Sequence, residues 1–269
     1  VVAACSGGLL ACATAAQRSA TGQVSRLASL SLLVTMIDQS QAGVPAAIIS
    51  ESLADQAIAK SAQKGYLDGR SLAEMFAWLR PNDLIWNYWV NNYLQGRTPP
   101  KFDVLFWNAD TTRMSAALHR DFVDAALHNK LARPGELTVL GTPIDLSKIT
   151  VDSYVVAGSA DHICPWMNCY RSSQLLGGKV RFVLSTNGHV AALVNPPGNP
   201  KSSFQVMDDN SLDADGWLQA AQREQGSWWP DYARWLGDRS GSEKPAPASL
   251  GSDEFPIIEE APGSYVREK

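Results

Sequence analysis

Val1-Val2-Ala3-Ala4-Cys5-Ser6-Gly7-Gly8-Leu9-Leu10 is the stretch whose reading decides the fold. A short β-prone apolar run meets a turn of small residues, and an apolar segment running to Ala16 follows with helical character. This order predicts a nucleophile elbow, the strained strand–turn–helix that holds a nucleophile clear of a sheet. Small residues suit that turn because strand and helix backbones approach closely there. Two registers are open: with Cys5 central the flanking positions are Ala3 and Gly7, and with Ser6 central they are Ala4 and Gly8. In either register the first glycine of the G-x-S-x-G pattern is an alanine. In isolation the stretch suits a buried cysteine acting as a small hydrophobe better. Support for the functional reading comes from downstream.

Outward from the elbow, Leu30-Ser31-Leu32-Leu33-Val34-Thr35-Met36-Ile37 is a near-continuous apolar run, as expected of a parallel strand buried on both faces. Strand, helix and strand at this spacing form a βαβ unit. From about Gln39 to His128 the pattern turns helical with clustered aromatics. Pro81-Asn82-Asp83 starts a helix on which Trp86, Trp89, Val90 and Tyr93 fall at i, i+3, i+4 and i+7, a stripe expected to pack into a core. Phe102 to Trp107 is predicted as a strand, with a turn over Asn108 to Thr112. Leu137 to Ile144 reads as a hairpin, and Tyr154 to Gly158 and Val180 to Leu184 as buried strands. Helices are expected around Trp217, Leu218 and Ala221, and after Pro230. The expected organisation is a core segment 1–38 with the elbow, an inserted cap lobe 39–128, a core segment 129–240, and a loosely attached tail 241–269. The fold class is α/β, with a mostly parallel sheet.

Length and composition bound the function. A chain of 269 residues can build one sizeable core with an inserted lobe. A net charge of −4 without a basic cluster speaks against a nucleic-acid partner. The four cysteines, Cys5, Cys12, Cys164 and Cys169, form no C-x-x-C pair and read as reduced thiols of a cytosolic protein. His162, Cys164 and Cys169 match no common zinc spacing, so no metal is expected. No apolar run reaches membrane-spanning length. The chain opens on a strand without Met, and a doubly wound sheet rarely begins at its nucleophile strand, so an N-terminal part is expected to be missing.

Three residues share one topological property. Cys5, Asp161 and His189 each follow the C-terminal end of a predicted parallel strand, and in open α/β sheets those ends form the edge where ligands bind. The order nucleophile, acid, histidine is that of the α/β-hydrolase triad. A thiol with a pKa near 8.5 needs a base to ionise, an imidazole can take the proton, and a carboxylate fixes its tautomer. The backbone N–H of Ser6, at the start of the elbow helix, is placed to donate to an oxyanion. Separately, Asp161 would serve as a helix N-cap and His189 as a turn residue; in this order they read as a triad. His162 reads as a supporting neighbour.

Longer blocks carry a resemblance. Ala4 to Gly8, Arg80 to Tyr88, Phe106 to Asp110, Asp161 to Trp166, Gly188 to Ala191, Val194 to Pro197, Gly226 to Pro230 and Ala261 to Val266 resemble the poly(3-hydroxyalkanoate) synthases, most nearly those of pseudomonads that use medium-chain substrates. The resemblance covers essentially the whole chain; Ala3 departs from it, standing where the family's lipase-like box has glycine. It implies an α/β-hydrolase core with a cap and makes Cys5, not Ser6, the nucleophile, with Asp161 and His189 completing the triad. Trp107 and His162 become candidates for the substrate or cap side. It implies (R)-3-hydroxyacyl-CoA as substrate, polyester and CoA as products, no cofactor, and a homodimer on cytoplasmic storage granules. A thioesterase, lipase or depolymerase of the same fold is the alternative, and a non-catalytic granule scaffold a third reading.

Overall fold

The computed structural model describes residues 1–40, 50–79, 81–99 and 111–264. The elements in chain order begin with β1 (Val2–Ala4), α1 (Ser6–Ala20) and β2 (Leu30–Leu33). Next come α2 (Glu51–Lys64), β3 (Tyr66–Leu67), α3 (Gly69–Leu79), two π-helical turns (Asn82–Trp86 and Trp89–Leu94), β4 (Met114–Ser115) and α4 (Ala116–Leu127). The chain returns through the hairpin of β5 (Thr138–Val139) and β6 (Thr142–Pro143) to β7 (Ser153–Gly158), α5 (Trp166–Ser173) and β8 (Val180–Ser185). It ends with β9 (Ser203–Met207), α6 (Ala214–Ala220), β10 (Gln222–Gln225) and α7 (Trp229–Gly237).

The main sheet has the order β1-β2-β7-β8-β9-β10. Its first four strands are parallel, and β9 and β10 add on antiparallel. All residues of β2 and β7 are buried, as the apolar runs predict. The two-residue side-chain period splits them between two cores. Leu32, Val155, Ala157, Phe182 and Leu184 face Cys12, Ala15 and Ala16 of α1, Tyr170 of α5 and Trp217 of α6. Leu33, Tyr154, Val156, Val183 and Phe204 face Trp228 and, from α7, Tyr232 and Trp235. Helices thus cover both faces of the sheet, and the strand ends remain for chemistry.

The structure revises four sequence expectations. The strand expected over Leu30 to Ile37 stops at Leu33, because Val34 adopts φ 45°, a conformation that a β-branched residue rarely takes. Strands β9 and β10 went unread; Gln222-Arg223-Glu224-Gln225 lies on the exposed edge and offers no apolar alternation to read. The stripe of Trp86, Trp89, Val90 and Tyr93 is not packed into a core. These side chains are 48, 47, 47 and 71% exposed, in turns whose i→i+5 bonding breaks the 3.6-residue register. Helix α5 also had no counterpart in the sequence reading. The strand expected over Phe102 to Trp107, and most of its turn, lie outside the described residues. The hairpin, β7, β8 and the last two helices stand where the sequence put them, and 241–264 contain no helix or strand. Among the described residues no helix is long and apolar enough to cross a membrane.

Candidate active site

Local conformation puts Cys5 rather than Ser6 at the turn of the elbow. Cys5 sits between β1 and α1 at φ 50°, ψ −127°, the strained position of the turn, whereas Ser6 is already the first residue of the helix. Its backbone is pinned on both sides: Cys5 N–H donates to the Leu33 carbonyl (2.9 Å), and the Cys5 carbonyl accepts from Thr35 Oγ1 (3.2 Å). The close approach falls on Gly8. A Cβ there would lie 2.2–2.7 Å from the Thr35 side chain, while one on Gly7 would meet nothing within 4 Å.

The turns after β7 and β8 are built against each other. Ser159 N–H donates to the Ser185 carbonyl (2.8 Å), and Ala160 N–H to the carbonyl of Asn187, which holds φ 84°. A Cβ on Gly158 would lie 2.9 Å from that same carbonyl, so the glycine lets the turns meet. This contact carries Asp161 to His189: Asp161 Oδ2 accepts from His189 Nδ1 at 2.7 Å. Asp161 Oδ1 accepts from the N–H groups of Ile163 and Cys164, both at 2.9 Å. Both carboxylate oxygens are therefore occupied, and the side chain is fully closed off from solvent. The loop beyond His189 is held from below, where the indole N–H groups of Trp228 and Trp229 donate to the carbonyls of Ala192 and Leu193, each at 2.8 Å.

Because Nδ1 is committed to Asp161, Nε2 of His189 is the nitrogen left for Cys5. The sulfurs of Cys5 and Cys164 and a ring nitrogen of His189 all lie within 4.8 Å of one another. The structure thus brings together Cys5, Asp161 and His189, three residues far apart in the chain. The half-buried His162 follows Asp161 in the turn, but the third member of the cluster around Cys5 is Cys164. Trp107 lies outside the described residues.

Environment separates Cys5 from Cys164 and Cys12. A hydrogen bond from Cys164 is the largest influence on Cys5. Burial opposes it, but the adjoining His189 and the Ser6 N–H add to it, and the Cys5 thiol is brought down to about 4. For His189 burial favours the neutral ring, yet hydrogen bonds to Asp161 and Cys5 outweigh it and raise the imidazole to about 9. Between those values the pair is a thiolate and an imidazolium. Cys164 moves strongly upward because its proton serves Cys5, with burial adding to the shift. Cys12, buried among apolar side chains, is pushed up to about 12. Cys164 was missed as a site residue because its only sequence signal, the spacing to His162 and Cys169, pointed to the wrong neighbours.

A cleft of about 790 Å³ lies at the other end of the strands, lined by Asp152, Arg181, Asp231 and Arg239 among others. Several of its charges are already paired: Arg181 grips Asp231 through two hydrogen bonds of 2.8 and 2.9 Å, and Arg239 holds Asp152.

A parallel sheet with an antiparallel extension, helices on both faces and a strained elbow at its C-terminal edge define a class. Residues 1–196 match the family described as the alpha/beta hydrolase fold, and the chain belongs to that family. Within it, the chain is 47% identical over 266 residues to poly(3-hydroxyalkanoate) polymerase 2 of Ectopseudomonas oleovorans, covering 99% of this chain and 48% of that protein. It is 45% identical to polymerase 1 of the same organism, over 100% of this chain and 48% of that protein. Identity to the poly(3-hydroxyalkanoate) polymerase subunit PhaC of Cupriavidus necator is 39%, over 100% of this chain and 46% of that protein. The chain spans about half the length of these relatives.

Proposed function

We propose that this chain is the catalytic part of an acyltransferase that polymerises (R)-3-hydroxyacyl-CoA into poly(3-hydroxyalkanoate) with release of CoA. The likeness to named polymerases supports the reaction class. The observation that carries the mechanism is the Cys5–His189–Asp161 arrangement, with the thiol held well below its usual range.

The resting thiolate of Cys5 attacks the acyl-CoA thioester, forming a new C–S bond. The CoA thiolate leaves and takes the proton of the His189 imidazolium. The N–H of Ser6, first in α1 and already directed at the Cys5 sulfur, is the donor proposed for the oxyanion. His189, now neutral, takes the proton of a 3-hydroxyl from another unit. That oxygen attacks the Cys5 acyl group, an ester forms, and the Cys5 thiolate is released. Asp161 is assigned an orienting role, since both its oxygens are occupied and solvent does not reach it. The 3-hydroxyl accordingly has His189 as its base. Water would divert the acyl group to free acid, which gives the segment 39–128, as a cap, the task of excluding it. Trp107 and His162 are proposed for the substrate side, no cofactor takes part, and the working form is a homodimer at the granule surface in the cytoplasm.

The test is to incubate the protein that carries this chain with a medium-chain (R)-3-hydroxyacyl-CoA and follow three products. CoA release, an acyl thioester on Cys5 detected by mass spectrometry and insoluble polyester support the proposal. CoA with free 3-hydroxy acid and no polymer means a thioesterase and overturns it.

A further inference from the structure

The group of Cys5, Cys164 and His189 has the composition of a soft-metal site and comes close to its spacing. Two sulfurs and one imidazole nitrogen lie within 4.8 Å of one another. A tetrahedral zinc ion, with Zn–S near 2.3 Å and Zn–N near 2.0 Å, places its ligand atoms roughly 3.4–3.8 Å apart. The cluster therefore needs to close by at most about 1–1.4 Å, which side-chain torsions at two cysteines can supply.

Two further features give the group the character of a built site. The histidine presents one nitrogen to the cysteines while its other nitrogen donates to the enclosed Asp161 carboxylate at 2.7 Å, the carboxylate–histidine support that metal-binding imidazoles use. Cys164 is fixed at both backbone ends: its N–H donates to Asp161 Oδ1 (2.9 Å), and its carbonyl accepts from Cys169 Sγ (3.7 Å). One carboxylate therefore orients two of the three donors. Two thiolates and an imidazole select zinc, cadmium or cobalt(II) over the hard cations magnesium and calcium.

We propose that Cys5, Cys164 and His189 form a three-ligand site for a soft divalent cation such as zinc, and that its occupation silences the nucleophile by binding the Cys5 sulfur. Binding releases the proton of the Cys164 thiol, and the fourth position is open to water or to a thiol from solution. Binding is read without substrate, so its outcome is independent of whether the enzyme is a polymerase.

The experiment titrates cobalt(II) and zinc alone into the chain, with its thiols kept reduced and trace metal removed. We expect one cobalt(II) per chain, with a sulfur-to-cobalt charge-transfer band of two-thiolate intensity that zinc displaces. Cys164→Val should lose about half of the band and bind zinc at least about tenfold more weakly, and Cys164→Ser provides the same comparison with the volume kept. Zinc should also shield Cys5 and Cys164 together from thiol labelling until a chelator is added, while Cys12→Ala leaves the titration unchanged. A one-thiolate band in the unaltered chain, zinc affinity in both Cys164 variants equal to that of the unaltered chain, or labelling of Cys164 unaffected by zinc overturns the proposal.

Discussion

The two ends of the main sheet each bury a cluster of ionisable groups, and one of them holds a thiol far below its usual range. At the end where β7 and β8 begin, Arg181 forms a two-pronged pair with Asp231, which also accepts from the Tyr154 hydroxyl (2.8 Å), and Arg239 grips Asp152. Burial disfavours the Asp231 charge, but Arg181 and Tyr154 outweigh it and hold the carboxyl below its usual range. Burial likewise drives the Tyr154 phenol upward, with the Asp231 charge adding to the shift. Arg181, held by the same carboxylate, is moved upward as well, so these three groups keep one protonation state. At the opposite end the partners are a thiol and an imidazole. Their shifts, to about 4 and about 9, hold a nucleophile ionised beside a proton donor. Burial of charge is common to both clusters; what distinguishes the Cys5 cluster is a thiol and an imidazole, groups able to exchange a proton, in place of a fixed Arg–carboxylate pair.

The sharpest test of that contrast is removal of the nucleophile. Cys5→Ala should lower CoA release by about 10⁴-fold or more, since a triad missing its nucleophile keeps only binding and oxyanion stabilisation. Ser6→Ala should stay close to the unaltered rate, because the donor proposed at that position is its backbone. A large loss in Ser6→Ala with little in Cys5→Ala would reverse the register.

At the other end the same kind of deletion should damage stability instead. Asp231→Ala leaves Arg181 only the exposed Asp208 as partner and the Tyr154 hydroxyl without its acceptor, and is expected to cost about 3 kcal/mol in denaturant unfolding, with the titration of Cys5 unchanged. The sign with pH follows from the depressed carboxyl. Its contribution is complete above the unfolded value near 3.9 and is lost as pH falls through the lower folded value. Acid unfolding of the native chain should therefore be steeper than that of the variant. Coincident acid transitions would contradict the assigned pairing.

A smaller effect concerns the thiol neighbour. Alkylation of Cys5 should be almost flat from about pH 5 to 8, because the thiolate is formed well below that window and His189 stays protonated up to about 9. Cys164→Val removes the hydrogen bond that contributes most to Cys5 and should raise the midpoint by about one unit or more, equivalent to about 1.4 kcal/mol. An unmoved midpoint would leave His189 and the Ser6 N–H as sufficient.

The smallest change is expected at the exposed aromatics. Trp89 stacks on Tyr93 with ring centroids 4.4 Å apart, but both are open to solvent. Trp89→Ala should shift stability by about 0.5 kcal/mol or less. A cost of several kcal/mol would mean that the side chain is buried in the working protein.

The sequence by itself determined the central strands, the elbow and the order of the three site residues. Leu30 to Leu33 and Tyr154 to Gly158 must be buried on both faces, and a residue just past such a strand has to emerge at the sheet edge. Composition left Cys5 and Ser6 as rival centres of the elbow; resemblance favoured Cys5, and the structure has Cys5 in the turn at φ 50° with Ser6 already helical. Where periodicity alone was the guide, as for Trp86 to Tyr93, it failed, because a stripe predicts burial only if another surface arrives to cover it. Only the tertiary structure could bring Cys164 to Cys5. Their proximity depends on the turn after β7 folding back over the elbow, with the Asp161 carboxylate binding the Cys164 N–H and the His189 ring together. A contact between residues 5 and 164 is set by how two loops close above a sheet, and no local pattern at either end encodes it.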